Sequence, residues 1–302
     1  MKKEIDIEEL LSSTKALMKK MYFIEDSFGL DFNEKSFGTC VNYCDLIELQ
    51  DEFVTEIVAT VLRYVYSKSK QSEIRKRLVE EDEREEDNAY SILLDRAKGK
   101  FRSSNLQGQL SELLIFNLLQ SHFKAVPILR KMSLTTNPEM ERNGADAIHL
   151  ARENGQYKIY IGECKTSDRK DRAFNYAFKE AVEDVIKHYK EHRNELSLYV
   201  YEDFIPEELE GYTKKYLDGD ITDTEVHLVC MVTYGQNEFV EGSSRTEILE
   251  NTMNKIQDSV NGINKNILYK KVESRLRPRI HLILFPVNDL TSMLEKFSKK
   301  IG

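Results

Sequence analysis

Along the first third of the chain, Phe53, Val54, Ile57, Val58, Val61, Leu62 and Val65 recur at intervals of three and four. That spacing predicts one apolar stripe on an amphipathic helix. The next segment, Glu73 to Ala97, is highly charged and places its apolar residues, Leu78, Tyr90, Ile92, Leu93 and Leu94, only near its ends. Within it Glu80-Glu81-Asp82-Glu83-Arg84-Glu85-Glu86-Asp87 reads as a solvated helix face rather than an interaction or DNA-mimicking element, because blocks of like charge repel and stay exposed. A helical N-terminal region over 1–100 is therefore expected. Its boundary near Lys98-Gly99-Lys100 is soft, since no repeat, low-complexity linker or Pro-rich hinge marks it.

From 101 to 302 the pattern turns to mixed helix and strand. Ser103 or Ser104 can cap a helix carrying Leu106, Leu110, Leu113, Leu114, Ile115, Phe116, Leu118 and Leu119, apolar nearly all round in its second half and so expected to be buried. Strand-like runs follow at Ala125 to Leu129, Ala147 to Ala151 and Tyr157 to Cys164, the last two joined by the turn-forming Glu153-Asn154-Gly155. A second helix is predicted from Arg172 to His192, with Ala173, Phe174, Ala177, Phe178, Ala181, Val182, Val185, Ile186 and Tyr189 on one face. Strands at Glu225 to Tyr234 and Ile280 to Val287 and a helix from Asp289 to Phe297 complete the pattern. The economical solution is an α/β fold, a mixed central sheet flanked by helices.

Composition narrows the class. With 302 residues, 40% of them hydrophobic, the chain can bury a sizeable core. No apolar run approaches the roughly 20 residues that span a bilayer, and Met1-Lys2-Lys3-Glu4-Ile5-Asp6 does not begin a signal peptide, so a cytoplasmic location without membrane contact is expected. Cys40, Cys44, Cys164 and Cys230 lack zinc-site or disulfide-framework spacing and read as reduced thiols. A net charge of −8 argues against a free-standing nucleic-acid binder, although Arg169, Lys170, Arg172, Arg275, Arg277 and Arg279 leave room for a local basic surface.

The candidate chemistry lies between Gly144 and Lys165. Residues two apart on a strand share a face, so Glu163 and Lys165 project together, in line with Ile159 and Ile161. Two opposite charges beside isoleucines are costly unless something compensates them. A hairpin would bring Asp146 to the same end of the sheet. Two carboxylates and the Cys164 carbonyl then make an oxygen-rich site suited to Mg²⁺, with Mn²⁺ as a substitute. Lys165 would orient or deprotonate a metal-bound water and neutralise charge growing on a phosphate. Glu112 is aimed at an apolar layer by its stripe with Ile115, Phe116 and Leu119, which suggests that a negative charge is needed there.

Each residue also has a plainer reading. Glu163 and Lys165 could form an ordinary edge-strand charge pair, Asp146 could be a turn residue after Asn143-Gly144, and Glu112 could pair with a structural arginine. His149 reads as a structural histidine, and Gly162 as a residue that lets neighbours pack closely. Thr166, Ser167, Arg169 and Lys170 could contact phosphate or simply form a polar strand end. A competing motif, His188-Tyr189-Lys190-Glu191-His192, fits the inverted His-x-x-Glu-His zinc-peptidase pattern but has no evident third ligand downstream.

Taken with their order along the chain, Glu112, Asp146, Glu163 and Lys165 resemble the PD-(D/E)XK nuclease superfamily over about Phe101 to Val287, with Ala145 in place of the proline of the family name. The resemblance implies a restriction-endonuclease-like core in which Asp146 and Glu163 hold the metal, Lys165 is catalytic, and Glu112 is the acidic residue of the first core helix. A narrower likeness rests on Gly108-x-x-x-Glu112-Leu113-Leu114, Lys131-Met132-Ser133-Leu134-Thr135-Thr136, Gly144-Ala145-Asp146-Ala147-Ile148-His149 and Gly162-Glu163-Cys164-Lys165. These segments are similar to the HamA family, nuclease subunits of the Hachiman anti-phage defence system. That likeness implies DNA as substrate, which the spacing alone does not choose over RNA, and a superfamily 2 helicase partner, HamB, that holds the nuclease quiet and releases it. It also offers a reason for the acidic balance, because a subunit that receives its DNA from a partner needs no basic surface of its own. A non-enzymatic expectation stands beside it: the helical N-terminal half and acidic run could make the chain an interaction subunit that holds a helicase or nucleic acid without cutting.

Overall fold

The computed structural model of the protein describes residues 5–25, 28–33, 35–102, 105–130, 132, 144–169, 172–200, 205–236 and 240–302. The first hundred residues form short helices α1 (Ile7–Leu10) and α2 (Lys15–Met18), strands β1 (Met21–Glu25) and β2 (Phe37–Val41), and a small hairpin of β3 (Tyr43–Cys44) and β4 (Ile47–Glu48). Helices α3 (Gln50–Val58), α4 (Val61–Val65), α5 (Lys68–Glu80) and α6 (Glu86–Lys98) follow. The remainder comprises α7 (Leu106–His122), β5 (Val126–Pro127), β6 (Ala147–Glu153), β7 (Gln156–Ser167), α8 (Ala173–Tyr199), α9 (Glu207–Asp218), β8 (Glu225–Gly235), α10 (Arg245–Asn261), α11 (Lys265–Lys271), β9 (Ile280–Val287) and α12 (Leu290–Ile301).

The main sheet has the order β1-β2-β9-β8-β7-β6-β5. Strands β7, β8 and β9 run parallel, β2 joins β9 in parallel, and β1, β6 and β5 each pair antiparallel with a neighbour. This is the expected mixed sheet with helices on its faces. Of the parallel strands β9 is buried at all eight positions and β8 at all but its two ends, whereas β7 interrupts its apolar residues with Lys158, Glu163 and Lys165.

The N-terminal region is helical as expected but also supplies β1 and β2 to the sheet. The five residues of β2 are all buried, so the strand gives no period-two alternation in the sequence. The single stripe expected from Phe53 to Val65 is divided between α3 and α4. All seven stripe residues are buried, yet the Thr60 hydroxyl donates to the Ile57 carbonyl and accepts from Asn117, a local bonding pattern that ends the first helix. The acidic run is exposed, but it spans the end of α5, the connecting turn and the start of α6 instead of one helix face. Its last acids, Glu86 and Asp87, lie in the first turn of α6, where the helix dipole favours them.

Helix α7 is capped by Asn105, whose side chain accepts from the Gly108 amide, whereas Ser103 and Ser104 lie outside the described residues. Strand β5, at the sheet edge, is shorter than expected, although the Ile128 amide still donates to the Ile148 carbonyl beyond Pro127. Helices α9, α10 and α11 were not among the predicted elements.

The strand pair carrying the candidate site has a tight turn. Asn154 and Gly155 both adopt positive φ, 52° and 84°, which matches the twist of a two-residue hairpin and fixes the register from Glu153↔Gln156 to Ala147↔Gly162. Alternation along β7 then splits its side chains. Ile159 and Ile161 join the core under α8, while Tyr160 and Cys164 join the core under α7. Helix α8 runs seven residues beyond the expected end at His192 and buries Ala173, Phe174, Ala177, Phe178, Ala181, Val182 and Val185 of the stripe read from the sequence, with Ile186 and Tyr189 half-buried at its margin.

Gly162 sits where α7 comes closest to β7. A Cβ there would stand 2.9 Å from Ile115 Cδ1 and 3.2 Å from Ala147 Cβ, so the close-packing reading of this glycine is correct. Gly162→Val should lower unfolding stability by about 1–3 kcal/mol through overpacking, read as a fall in the urea midpoint. An unchanged midpoint would show that α7 does not press on the strand.

Candidate functional site

Strand alternation turns Glu163 and Lys165 toward α8. The Glu163 carboxylate is 4% exposed, and Lys165 Nζ donates to its Oε1 at 2.9 Å. Lys165 also pairs with Asp184 Oδ2 at 2.7 Å, and His188 Nε2 stands 3.5 Å from Glu163 Oε2. Asp184 and His188 lie one helical turn apart on α8, so both reach the same point of the strand. Glu163 Oε2 is buried without a hydrogen-bond partner. Burial, followed by the charge of Asp146, pushes the Glu163 carboxyl well above the usual carboxylate range, and Lys165 only partly opposes this. For Lys165, burial works downward, but the Glu163 and Asp184 carboxylates outweigh it and hold the ammonium more firmly protonated than usual.

Asp146 lies one step beyond the last registered pair, Ala147↔Gly162, and so next to Glu163 on the neighbouring strand. Its Oδ2 accepts from the Cys164 backbone amide at 2.9 Å and from the Cys164 thiol at 3.2 Å. Burial, then the negative charges of Asp146, Glu112 and Glu163, keep that thiol protonated, which rules it out as a ready nucleophile. All four cysteines are free thiols, as expected.

Glu112 approaches from the opposite face of the sheet, on α7. Tyr64 donates to its Oε2 at 3.1 Å. Glu112 and Asp146 line one small cavity of about 30 Å³, together with Tyr64, Arg102, Arg130 and His149. The four residues picked from the sequence thus meet at one end of β7 in two groups. Glu163 and Lys165 lie under α8, Glu112 lies under α7, and Asp146 touches both environments.

Among the described residues no group of three or more His, Cys, Asp or Glu side chains forms a preformed metal cluster. The donor chemistry nevertheless suits a hard divalent cation at Asp146 and Glu163, because a buried carboxylate oxygen without a partner sits beside a second carboxylate. Glu112 stands across the cavity instead of closing one ligand set with them.

The histidine readings resolve differently. His149 contacts the Ala125 carbonyl at 3.0 Å and packs edge-on against Phe116, and burial pushes its pKa down to about 3, so it is a neutral structural residue. In the His-x-x-Glu-His segment, His188 turns toward Glu163 while both His192 nitrogens are engaged, by the Tyr189 carbonyl at 2.6 Å and the Tyr216 hydroxyl at 2.7 Å. The two imidazoles serve different neighbours and do not converge on a zinc position. Of the polar strand-end residues, Thr166 bonds Ser111 at 2.6 Å, Ser167 is buried and Arg169 lies over the Tyr176 ring; Lys170, Lys131 and Ser133 to Asn143 lie outside the described residues.

Sequence reasoning missed Asp184, Tyr64 and Arg102, and it read His188 only as part of the zinc-peptidase motif, not as a neighbour of Glu163. Asp184 and His188 could have been found as polar residues one turn apart beside the Ala181, Val182 and Val185 stripe. Nothing local marks Tyr64 or Arg102, which reach the site only through tertiary packing.

The raised carboxyl of Glu163 makes a pH-dependent prediction. A folded state that holds this proton more tightly than the unfolded chain gains full stability from it below the ordinary value of 4.5 and loses that gain as pH rises. In metal-free buffer, Glu163→Gln should gain on wild type by about 1 kcal/mol or more between about pH 5 and about pH 8. Urea melts at several pH values measure this, and parallel stability curves for the two proteins would refute it.

A search of curated proteins finds no match. The family model for HamA matches residues 21–301, from the first residue of β1 to the last residue of α12, and so takes in the whole sheet and both helical faces. This chain therefore belongs to the HamA family, which is associated with the Hachiman anti-phage defence system.

Proposed function

We propose that this chain is a divalent-metal-dependent deoxyribonuclease, the effector subunit of a Hachiman complex in which a superfamily 2 helicase of the HamB type brings it DNA. The observation that carries the reading is the buried Glu163 carboxylate, with one oxygen lacking a hydrogen bond, beside Asp146 and against the Lys165 cation. A strand that served only packing would not keep this arrangement, because burying a carboxyl group with one oxygen unmatched is costly.

Asp146 and Glu163 would hold magnesium, which supplies a Lewis acid for the phosphate and lowers the pKa of a bound water. Lys165 is the residue whose role the geometry sharpens. Two carboxylates keep it protonated, so it suits orienting water and stabilising charge on the phosphate far better than removing a proton, since a general base works best with a pKa near the operating pH. Glu112, bonded to Tyr64, would shape the site from the α7 side. The net charge of −8 and the exposed acidic connection between α5 and α6 fit a nuclease that depends on a partner for DNA engagement.

A plasmid assay with magnesium, with and without the helicase partner, tests the reading. Wild type should nick or degrade DNA, faster with the partner, and Glu163→Ala and Lys165→Ala should each lose at least about 100-fold, the scale expected when a main electrostatic group is removed. Unchanged cleavage in both variants would overturn the assignment. Absence of any cleavage by the wild-type complex would favour a non-cutting interaction subunit. Magnesium should also raise the melting temperature of wild type and leave Glu163→Gln unmoved.

A further inference from the structure

We propose that the cavity on the α7 side of Asp146 is a phosphate-oxygen site whose recognising group is Arg102. The choice of a phosphate as ligand rests on the nuclease reading above, while the need for an anionic acceptor rests on the geometry alone.

Arg102 is 8% exposed and lines the cavity shared by Glu112 and Asp146. Its backbone amide is fixed by the side chain of Gln109, which accepts at 2.8 Å and is itself fully buried. The guanidinium is not fixed in the same way. Its Nε is buried without a hydrogen-bond partner, and among the described residues the guanidinium makes no ion pair. Gln109 Nε2, in the same cluster, is a second buried donor without an acceptor. Arg130, the other arginine of the cavity, differs: its Nε donates to the Arg63 carbonyl at 3.2 Å, and its guanidinium carbon lies 6.0 Å from the centre of the Phe116 ring.

A guanidinium has donors only, so what completes it must be an acceptor, and its planar fork matches the oxygens of a phosphate. A buried cation without a partner is a cost to folding, of the kind that proteins keep where a ligand supplies the partner. Size narrows the ligand further. A cavity of about 30 Å³ holds one or two water-sized groups, so it takes phosphate oxygens and leaves sugar and base outside.

Charge sets the order of binding. Glu112 and Asp146 line the same cavity as Arg102 and Arg130, so a bare phosphate would meet two carboxylates as well as the arginines. A divalent cation on Asp146 removes that repulsion, and phosphate binding at Arg102 should therefore strengthen with the cation.

The test uses the full chain and a fluorescein-labelled oligothymidylate, bound in calcium so that contact is measured under conditions chosen to suppress cleavage. Arg102→Gln should weaken binding by about 10- to 100-fold, the range for lost hydrogen bonds to a charged group, and Arg102→Lys should recover part of it. Replacing calcium with EDTA should weaken wild type and narrow its difference from Arg102→Gln. The melting temperature of Arg102→Gln should stay at or above that of wild type, because no direct hydrogen bond of the guanidinium Nε is lost. Inorganic phosphate competing against the oligonucleotide would identify the phosphate group alone as sufficient, and no competition would identify the diester within a chain.

Equal affinity of wild type and Arg102→Gln would overturn the inference. So would lost affinity accompanied by a lower melting temperature, with Arg102→Lys restoring both together, since that is the behaviour of a structural arginine. The nuclease reading fails separately: Arg102-dependent binding by a complex that cuts no DNA with any metal would keep the phosphate site and refute the activity. Normal binding and cutting by Arg102→Gln would refute the site alone.

Discussion

The burial of the Glu163 carboxylate organises the end of the sheet at which the candidate site lies. A charge under α8 must be met by other charges, and the surrounding residues do this in stages. Lys165, two positions on, shares its strand face; Asp184 and His188 come from α8 at the spacing of one turn; Asp146 adds a like charge from the neighbouring strand. The proton is therefore held more tightly on Glu163, and Lys165 is held as a cation. Both effects arise from low polarity and proximity, and neither follows from the residue types alone.

The fold secures this arrangement through the hairpin of β6 and β7. Left-handed backbone at Asn154 and Gly155 fixes the register, which brings Asp146 next to Glu163 and lets the Cys164 amide bond Asp146. A one-residue slip would turn Glu163 and Lys165 to the α7 face, where Ile115 and Leu119 press on Gly162. The same alternation that buries Ile159 and Ile161 under α8 therefore also positions the charged pair. Asp146, at the mouth of the strand pair, connects that pair with the cavity under α7.

Membership of the HamA family extends to the N-terminal strands as well as the core around the site. The matched region starts at Met21, where β1 begins, and β1 reaches β9 through β2. The first hundred residues are thus built into the sheet that carries the site, and their helix α4 contributes Tyr64 to Glu112. No helix among the described residues is long and apolar enough to cross a membrane.

The sequence by itself determined the mixed α/β class, the β6–β7 hairpin, the helix that becomes α8 and strand β9, because each has a strong local signature of period, turn residues or continuous apolar character. It also singled out Glu112, Asp146, Glu163 and Lys165, since carboxylates and a lysine set among apolar positions are conspicuous in one dimension. Only the tertiary structure decided how these residues divide between the two faces of β7, that Asp184 shares the lysine, that His188 and His192 turn to different neighbours, and that Arg102 enters the cavity beside Asp146. It likewise decided that β1 and β2 join the sheet. The physical reason is common to all of these: they depend on contacts between residues far apart in the chain, and on the burial such contacts create, which no local period or spacing encodes.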